Sequence, residues 1–270
     1  MLDLPVDGQR SAIDHWHLAA SQLVDRMGLE HLPVRLMIDR RSIRPTFKTS
    51  ENHVRMGVEE DSTDYRGTAG VLRDLAEEYG DDDVLLVANA AQLMIEPLAD
   101  LVMSLAAPEA DVSIVSHDDG TPSGVMLVRC GALRMVPGVG FVDMKEQALP
   151  RIARTHHVNV VRRAEPAGLP IRTLANYIQA LRAHHGRIGG TGNDANVFAE
   201  AWWPMFGIVE PGAEVEDGTR VHDSVVLRGG RVERGAVLVR SIVCPGAAVR
   251  RNEMVADRLV VSRRRRNGKQ

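Results

Sequence analysis

"VEPGAEVEDGTRVHDSV" (209–225), "VLRGGRVERGAVLVRSI" (226–242) and "VCPGAAVRRNEMVADRL" (243–259) align without a gap as three rows of 17 residues. Apolar residues recur at 209, 215 and 221, at 226, 232 and 238, and at 243, 249 and 255. Gly212, Gly229 and Gly246 hold one place in each row. A fixed period of this kind demands a repeat architecture. Steps of about six residues, each with an apolar side chain turned inward, fit a β-solenoid whose coils stack to share a core. Three coils are near the minimum for a stable array. The segment 205–261 therefore reads as an appendage to something larger.

That larger part precedes it. From about residue 12 to 185, helical and strand patterns alternate. Residues 12–28 carry apolar side chains at helical spacing: Ile13, Trp16, Ala19, Leu23 and Met27. "VRLMI" (34–38) and "HVRMGV" (53–58) are strand candidates, and 68–79 is a helix after Gly67. "DVLLVAN" (83–89) is a buried strand, and 96–107 is a helix with Pro97 near its first turn. Residues 111–117 and 124–130 are strands around the turn "DDGTPSG". A helical candidate at 143–154 should be kinked or shortened by Pro150. A strand at 157–163 and a helix at 171–185 follow. Such alternation argues an α/β domain, here 1–195, with a mostly parallel sheet and helices on both faces. The Gly- and Asn-rich stretch 186–200 is a linker by composition.

Composition excludes several classes. With 44% hydrophobic and 26% charged residues over 270 positions, the chain can bury a sizeable core. A net charge of −3 gives no reason to expect nucleic acid or a membrane surface as partner. Only Cys130 and Cys244 occur, without a CxxC pair, so neither a disulfide framework nor a structural zinc site is expected and a reducing, cytoplasmic setting fits. The N-terminus lacks the apolar run of a signal peptide. The final "SRRRRNGKQ" (262–270) reads as a solvated, disordered basic tail, with Arg263–Arg266 consecutive.

The strand at 83–89 raises the functional question. In an open α/β sheet, ligands bind beyond the carboxyl ends of strands. A metal-using site would place a carboxylate there, and this chain offers Asn89, Ala90, Ala91 and Gln92.

"YRGTAGVLRDLAEEYGDDDVLLVAN", "PSGVMLVRCGAL", "GFVDMKEQALPRIA" and "PIRTLANYIQALRAHH", in that order and followed by the hexapeptide-spaced rows, resemble the sugar-1-phosphate nucleotidyltransferases, above all the mannose-1-phosphate guanylyltransferase branch. The resemblance covers roughly 1–185 and 205–260. It implies a Rossmann-type nucleotidyltransferase-like domain followed by a short left-handed parallel β-helix. It also implies attack of a sugar-1-phosphate on the α-phosphate of a nucleoside triphosphate. That chemistry needs a glycine-rich phosphate loop, a basic residue and Mg²⁺ held by carboxylates.

Residue by residue, the match is uneven. Gly67, Thr68, Ala69 and Gly70 match the turn that contacts the nucleotide. Asn89 matches the Asn of an Asn-Gly-Asp motif, but its Gly is Ala90 and its metal-binding Asp is Ala91. The second metal-binding Asp falls near Pro170, and only Thr173 and Tyr177 match around it. Lys145 is a candidate for the sugar phosphate. The glycine-rich signature and its lysine are absent, and the chain begins after them. The implied central first strand is then missing too. Its loss would leave two unpaired strand edges, so that either the true start lies upstream, or the first helix and "VRLMI" repack to close the sheet, or a partner chain donates a strand.

The expectation is thus a degenerate homologue with no metal and no predicted cofactor, and with no catalytic residue to name. Its role would be regulatory or structural in nucleotide-sugar or polysaccharide metabolism. A nucleotide or nucleotide-sugar is a ligand to expect, and a homo-oligomer or a hetero-oligomer with an active homologue is the expected assembly. The competing expectation is an active transferase using Mg²⁺ through a rebuilt metal site or a segment upstream of Met1.

Other constellations point less far. His15 and His17 flank Trp16, and residues two apart on a helix face different ways. His156–His157 and His184–His185 read as surface pairs at element ends. His222 lies in the first coil, where a histidine could serve an acyltransferase, but such enzymes need a longer solenoid.

Overall fold

A computed structural model describes residues 2–7, 9–42, 44–45, 53–61, 66–118, 120–187 and 207–262. Of the stretch 186–200 read as a linker, Gly186 and Arg187 end a helix (Leu174–Arg187), and 188–200, like the arginine run 263–266, lie outside the described residues. No described helix is long and apolar enough to cross a membrane.

In chain order the elements are α1 (Ala12–Met27), β1 (Leu32–Ile38), β2 (Val54–Glu60), α2 (Gly67–Ala76), β3 (Val84–Ala88), β4 (Gln92–Met94) and α3 (Leu98–Ala106). Then come β5 (Val112–His117), β6 (Pro122–Arg129), α4 (Cys130–Leu133), a π turn (Met144–Ala148) and α5 (Leu149–Ile152). After β7 (Val158–Arg163), β8 (Gly168–Pro170) and α6 (Leu174–Arg187), the strands β9 (Gly207–Val209) to β18 (Leu259–Val260) are all two or three residues long.

The chain divides into two compact units, but not at a single point between 195 and 205. One unit holds residues 16–90 and 94–168, and we call it the α/β unit. The other, the coil unit, joins the N-terminal segment through His15, residues 91–93, and everything from Leu169 onward. The reason is apolar burial. Val6, Tyr177, Ile178 and Leu181 form one core with Ile208, Val225, Leu227 and Ile242, so the N-terminal segment and α6 belong to the coils.

In the coil unit, residue i pairs with residue i+17 throughout: Val215 with Val232 and Val232 with Val249, and Val221 with Leu238 and Leu238 with Val255. The pairings build three parallel sheets, β10-β13-β16, β11-β14-β17 and β9-β12-β15-β18. The apolar positions read from the rows are the core of the stack, with Val226, Val232, Leu238 and Val243 fully buried. Each corner turns through left-handed backbone. Gly212, Gly229 and Gly246 take the first corner, and Gly218, Gly235 and Asn252 the second. Asp223, Arg240 and Asp257 take the third, a corner that glycine counting misses. Asp and Asn tolerate this conformation better than other side-chain-bearing residues. Arg240 at the same place is held by two hydrogen bonds to Asp257, at 2.6 and 2.7 Å.

The α/β unit has a four-stranded sheet of order β3-β6-β5-β7 and a separate parallel pair, β1-β2. The larger sheet is mixed, not mostly parallel: β6 runs antiparallel to both β3 and β5, and only β5-β7 is parallel. The cause is local, because β5 and β6 are joined by a tight connection through Gly120 (φ +82°) and so must run antiparallel. Helices cover both faces of the sheet. Leu85, Val87, Met126 and Val128 pack with α2, α4 and α5, while Leu86, Val115, Val125 and Leu127 pack with Leu101 and Leu105 of α3. Leu23 of α1 shares a cluster with Leu32 of β1 and Leu86 of β3, so the first helix packs on the end strand of each sheet.

The helical candidate at 143–154 begins as a π turn and runs on into α5 through helical backbone at Ala148 and Leu149, without a break at Pro150. Asp143 caps the π turn by accepting from the Lys145 and Glu146 N–H groups, and Pro150 then sits in the first turn of α5.

Candidate functional site

The segment expected to touch a nucleotide opens α2. Gly67 has φ +68°, and a Cβ there would lie 2.5 Å from the Val142 carbonyl oxygen. The loop 140–144 closes over this turn. Ala69 N–H donates to Val142 C=O (3.1 Å), Val142 N–H to Arg66 C=O (2.9 Å) and Met144 N–H to the Thr68 hydroxyl (3.1 Å). Gly70 faces the Arg66 side chain, whose Cβ and guanidinium carbon would stand 3.1 and 3.2 Å from an added Cβ. The Arg66 guanidinium is buried, donates to both Asp74 carboxylate oxygens (2.7 and 2.9 Å), and reaches Gly140 C=O (3.1 Å). This hydrogen-bonded pairing holds the Asp74 carboxyl below its ordinary range. The turn is thus braced from inside by an arginine.

Lys145 follows Met144 with an exposed side chain, so Gly67–Gly70 and Lys145 share one neighbourhood. Asn89 belongs to another. It extends the β3–β6 ladder by donating from its N–H to Gly124 C=O (2.9 Å), and Gly124 (φ +77°) would bring a Cβ to 3.1 Å from Asn89 Cβ. Beyond it, Ala90 C=O accepts from the Trp16 indole N–H at 3.1 Å. Glu96, an acid further along the chain, lies just before α3 and accepts from Arg163 through both oxygens at 3.1 Å. Arg163 also donates to Ser104 Oγ (2.8 Å). Among the described residues, no carboxylate stands at positions 89–92.

The coil unit holds a second constellation. Ser11 and Asp14 cap α1 reciprocally: Ser11 N–H and hydroxyl donate to Asp14 Oδ2 at 2.8 and 2.7 Å, and Asp14 N–H donates to Ser11 Oγ at 3.4 Å. This fixes the first turn and directs His15 toward Asp7, with Nε2 3.3 Å from Oδ2. Asp7 Oδ1 accepts from the Gln9 and Arg10 N–H groups (2.9 and 2.8 Å), and Arg10 also reaches Oδ2. His184 of α6 completes the group. One donor atom from each of Asp7, His15 and His184 lies within 4.8 Å of the others. The His15 and His184 rings meet edge-on with centroids 4.8 Å apart. The next residue, His185, is buried with Nε2 3.5 Å from Glu210 Oε1.

Two of these groups are electrostatically displaced. Burial alone would raise the Asp7 carboxyl, but hydrogen bonds from His15 and the Gln9 amide, with the charge of Arg10, hold it well below the ordinary range. Burial, together with repulsion from His15 and His185, lowers His184 to about 4. The thiol of Cys244, desolvated in the same core, is pushed up to about 11 and stays protonated at neutral pH.

Comparison with models of known protein families gives no match, and comparison with curated proteins gives none either.

Thr173 and Tyr177, the two matches near the second metal position, hold the start of α6. Asn176 N–H donates to Thr173 Oγ1 (3.2 Å), and the buried Tyr177 hydroxyl donates to Pro5 C=O. Burial raises the Tyr177 pKa, as expected for a phenol serving as a structural donor. Sequence reasoning missed two features. Nothing in the sequence singles out Arg66, yet its guanidinium is buried against Asp74. His15 and His184 are paired in sequence with His17 and His185, whereas the fold pairs them with each other.

Proposed function

We propose that the chain is a sugar-1-phosphate nucleotidyltransferase homologue that has lost catalysis and acts as a regulatory or structural component of nucleotide-sugar or polysaccharide metabolism. On this reading the α/β unit is a Rossmann-type nucleotidyltransferase-like domain, and the coil stack is a left-handed parallel β-helix of hexapeptide type. The carrying observation is the strand end Asn89-Ala90-Ala91, where a metal-dependent transferase needs a carboxylate. Glu96, further along the chain, already accepts from the Arg163 guanidinium through both oxygens, so it is a poor substitute.

Binding would then be the surviving property. Gly67–Gly70 and Lys145 would meet a nucleotide or nucleotide-sugar, with Asn89 at the strand end. The partner would be a second copy or an active homologue, in the cytoplasm, where nucleotide-sugars are made. Pyrophosphate release, screened across nucleoside triphosphates and sugar-1-phosphates with Mg²⁺, is expected to stay at background. Ala91→Asp is expected to leave it there, because the second metal-binding position, near Pro170, also lacks its carboxylate. Turnover in the unaltered chain that Gly67 or Asn89 substitutions abolish would sink the proposal. Calorimetry with nucleotides at millimolar concentration separates a surviving binder from a scaffold.

A further inference from the structure

We propose that Asp7, His15 and His184 form a binding site for a divalent first-row transition ion of the zinc class. The ion would pin the N-terminal segment to α6 within the coil unit.

Hydrogen bonding accounts for two of the three residues and not for the third. Asp7 is satisfied by backbone amides, Arg10 and His15. His184 Nε2 is buried and has no hydrogen-bond partner. A buried polar atom left in this way calls for a water or an ion. Here the surroundings favour an ion, because a carboxylate oxygen of Asp7 and a ring nitrogen of His15 lie within 4.8 Å of a ring nitrogen of His184.

The donor set selects the metal. Two imidazoles and one carboxylate suit zinc, iron, nickel or copper, whereas Mg²⁺ and Ca²⁺ prefer an all-oxygen shell. Bonds of ~2.0–2.2 Å in a tetrahedral shell place neighbouring donors roughly 3.3–3.6 Å apart. His15 Nε2 and Asp7 Oδ2, at 3.3 Å, already stand at that spacing. The widest pair, within 4.8 Å, closes by side-chain rotation. Three protein ligands leave one position open to water or another ligand. Arg10, at 3.1 Å from Asp7 Oδ2 with its side chain 45% exposed, would swing into solvent as the cation replaces its charge. The three ligands come from a loop, the first turn of α1 and the last turns of α6, 169 residues apart at the histidines (184 − 15). An ion there therefore cross-links parts of the coil unit that the 17-residue repeat does not tie together.

The test uses the full chain, stripped of metal and titrated with Zn²⁺ against a chromophoric chelator. One ion per chain is expected, with affinity reduced about 10-fold or more by His15→Gln and by His184→Gln, and unchanged by His17→Gln on the other side of the helix. Zn²⁺ is expected to raise the melting temperature of the unaltered chain and not that of His184→Gln. Co²⁺ in place of zinc is expected to shift the ring N–H resonances of two histidines, a readout on the unaltered chain that does not depend on any variant folding. No stoichiometric ion, an affinity indifferent to both substitutions, or cobalt that shifts no histidine resonance would each overturn the proposal.

Discussion

The coil stack and the α/β unit bury similar aliphatic side chains, yet they specify their structures differently. In the stack each partner lies 17 residues away, and the same slot is filled in each row, as Val215, Val232 and Val249 show. In the α/β unit the partner of a strand follows no rule of spacing: β3 pairs with β6, and β5 with β7. One region is held by a repeated local instruction. The other is held by particular long-range fits, such as Arg66 locked between Asp74 and the Gly140 carbonyl.

The largest test of that contrast removes a central aliphatic group from each region. Leu238→Ala and Leu101→Ala, both at fully buried positions, should each cost about 2–5 kcal/mol. Hydrogen exchange should then separate them. Leu238→Ala is expected to expose amides in the rows directly above and below it, because a solenoid coil leans only on its neighbours. Leu101→Ala is expected to lower protection across the whole α/β unit. A uniform loss in both would break the comparison.

Glycine substitutions sharpen it further. Gly67→Ala must place a methyl 2.5 Å from the Val142 carbonyl in left-handed backbone, and should cost about 2–4 kcal/mol in denaturant unfolding. Gly229→Ala has the same backbone sign, but its nearest neighbour is the Gly246 nitrogen at 3.9 Å. It should cost only about 1 kcal/mol, the conformational part alone. Equal costs would mean that the closure of loop 140–144 over α2 contributes little.

Acid gives a test of comparable size confined to the coil unit. His184 titrates near 4 in the folded chain and near its ordinary 6.5 when unfolded. Between those values the unfolded chain binds the proton and the folded chain does not. Stability of the chelator-treated protein therefore falls as pH drops from 6.5 toward 4, by about 1–3 kcal/mol. The groups that set this are His15, His185, Asp7 and Arg10 around the ring. His184→Gln should flatten that part of the stability profile, and an unchanged slope would remove His184 from the account.

Legibility in the sequence follows the same divide. The coil core could be named position by position, because the period repeats inside one short window. What escaped was the third corner, since Asp223, Arg240 and Asp257 adopt left-handed backbone without being glycine. In the α/β unit most elements were readable from periodicity, although Pro150 sits in the first turn of α5 without interrupting the helical backbone. Pairing order was not, because β1-β2 forming its own sheet depends on contacts that no local window contains. The same limit hides the Asp7, His15 and His184 group. His15 looks like a partner of His17 and His184 like a partner of His185, and only the packing of the N-terminal segment on α6 reveals the other combination.

The constant coil length turns the stack into a ruler. Excising 226–242 joins Val225 to Val243, the residue that fills the slot of Val226 one row later, so each surviving strand meets a partner of the right facing. Excising sixteen or eighteen residues instead would turn valines outward along everything downstream. Length in this region can therefore change in whole steps of seventeen, and loops can grow only at the corners.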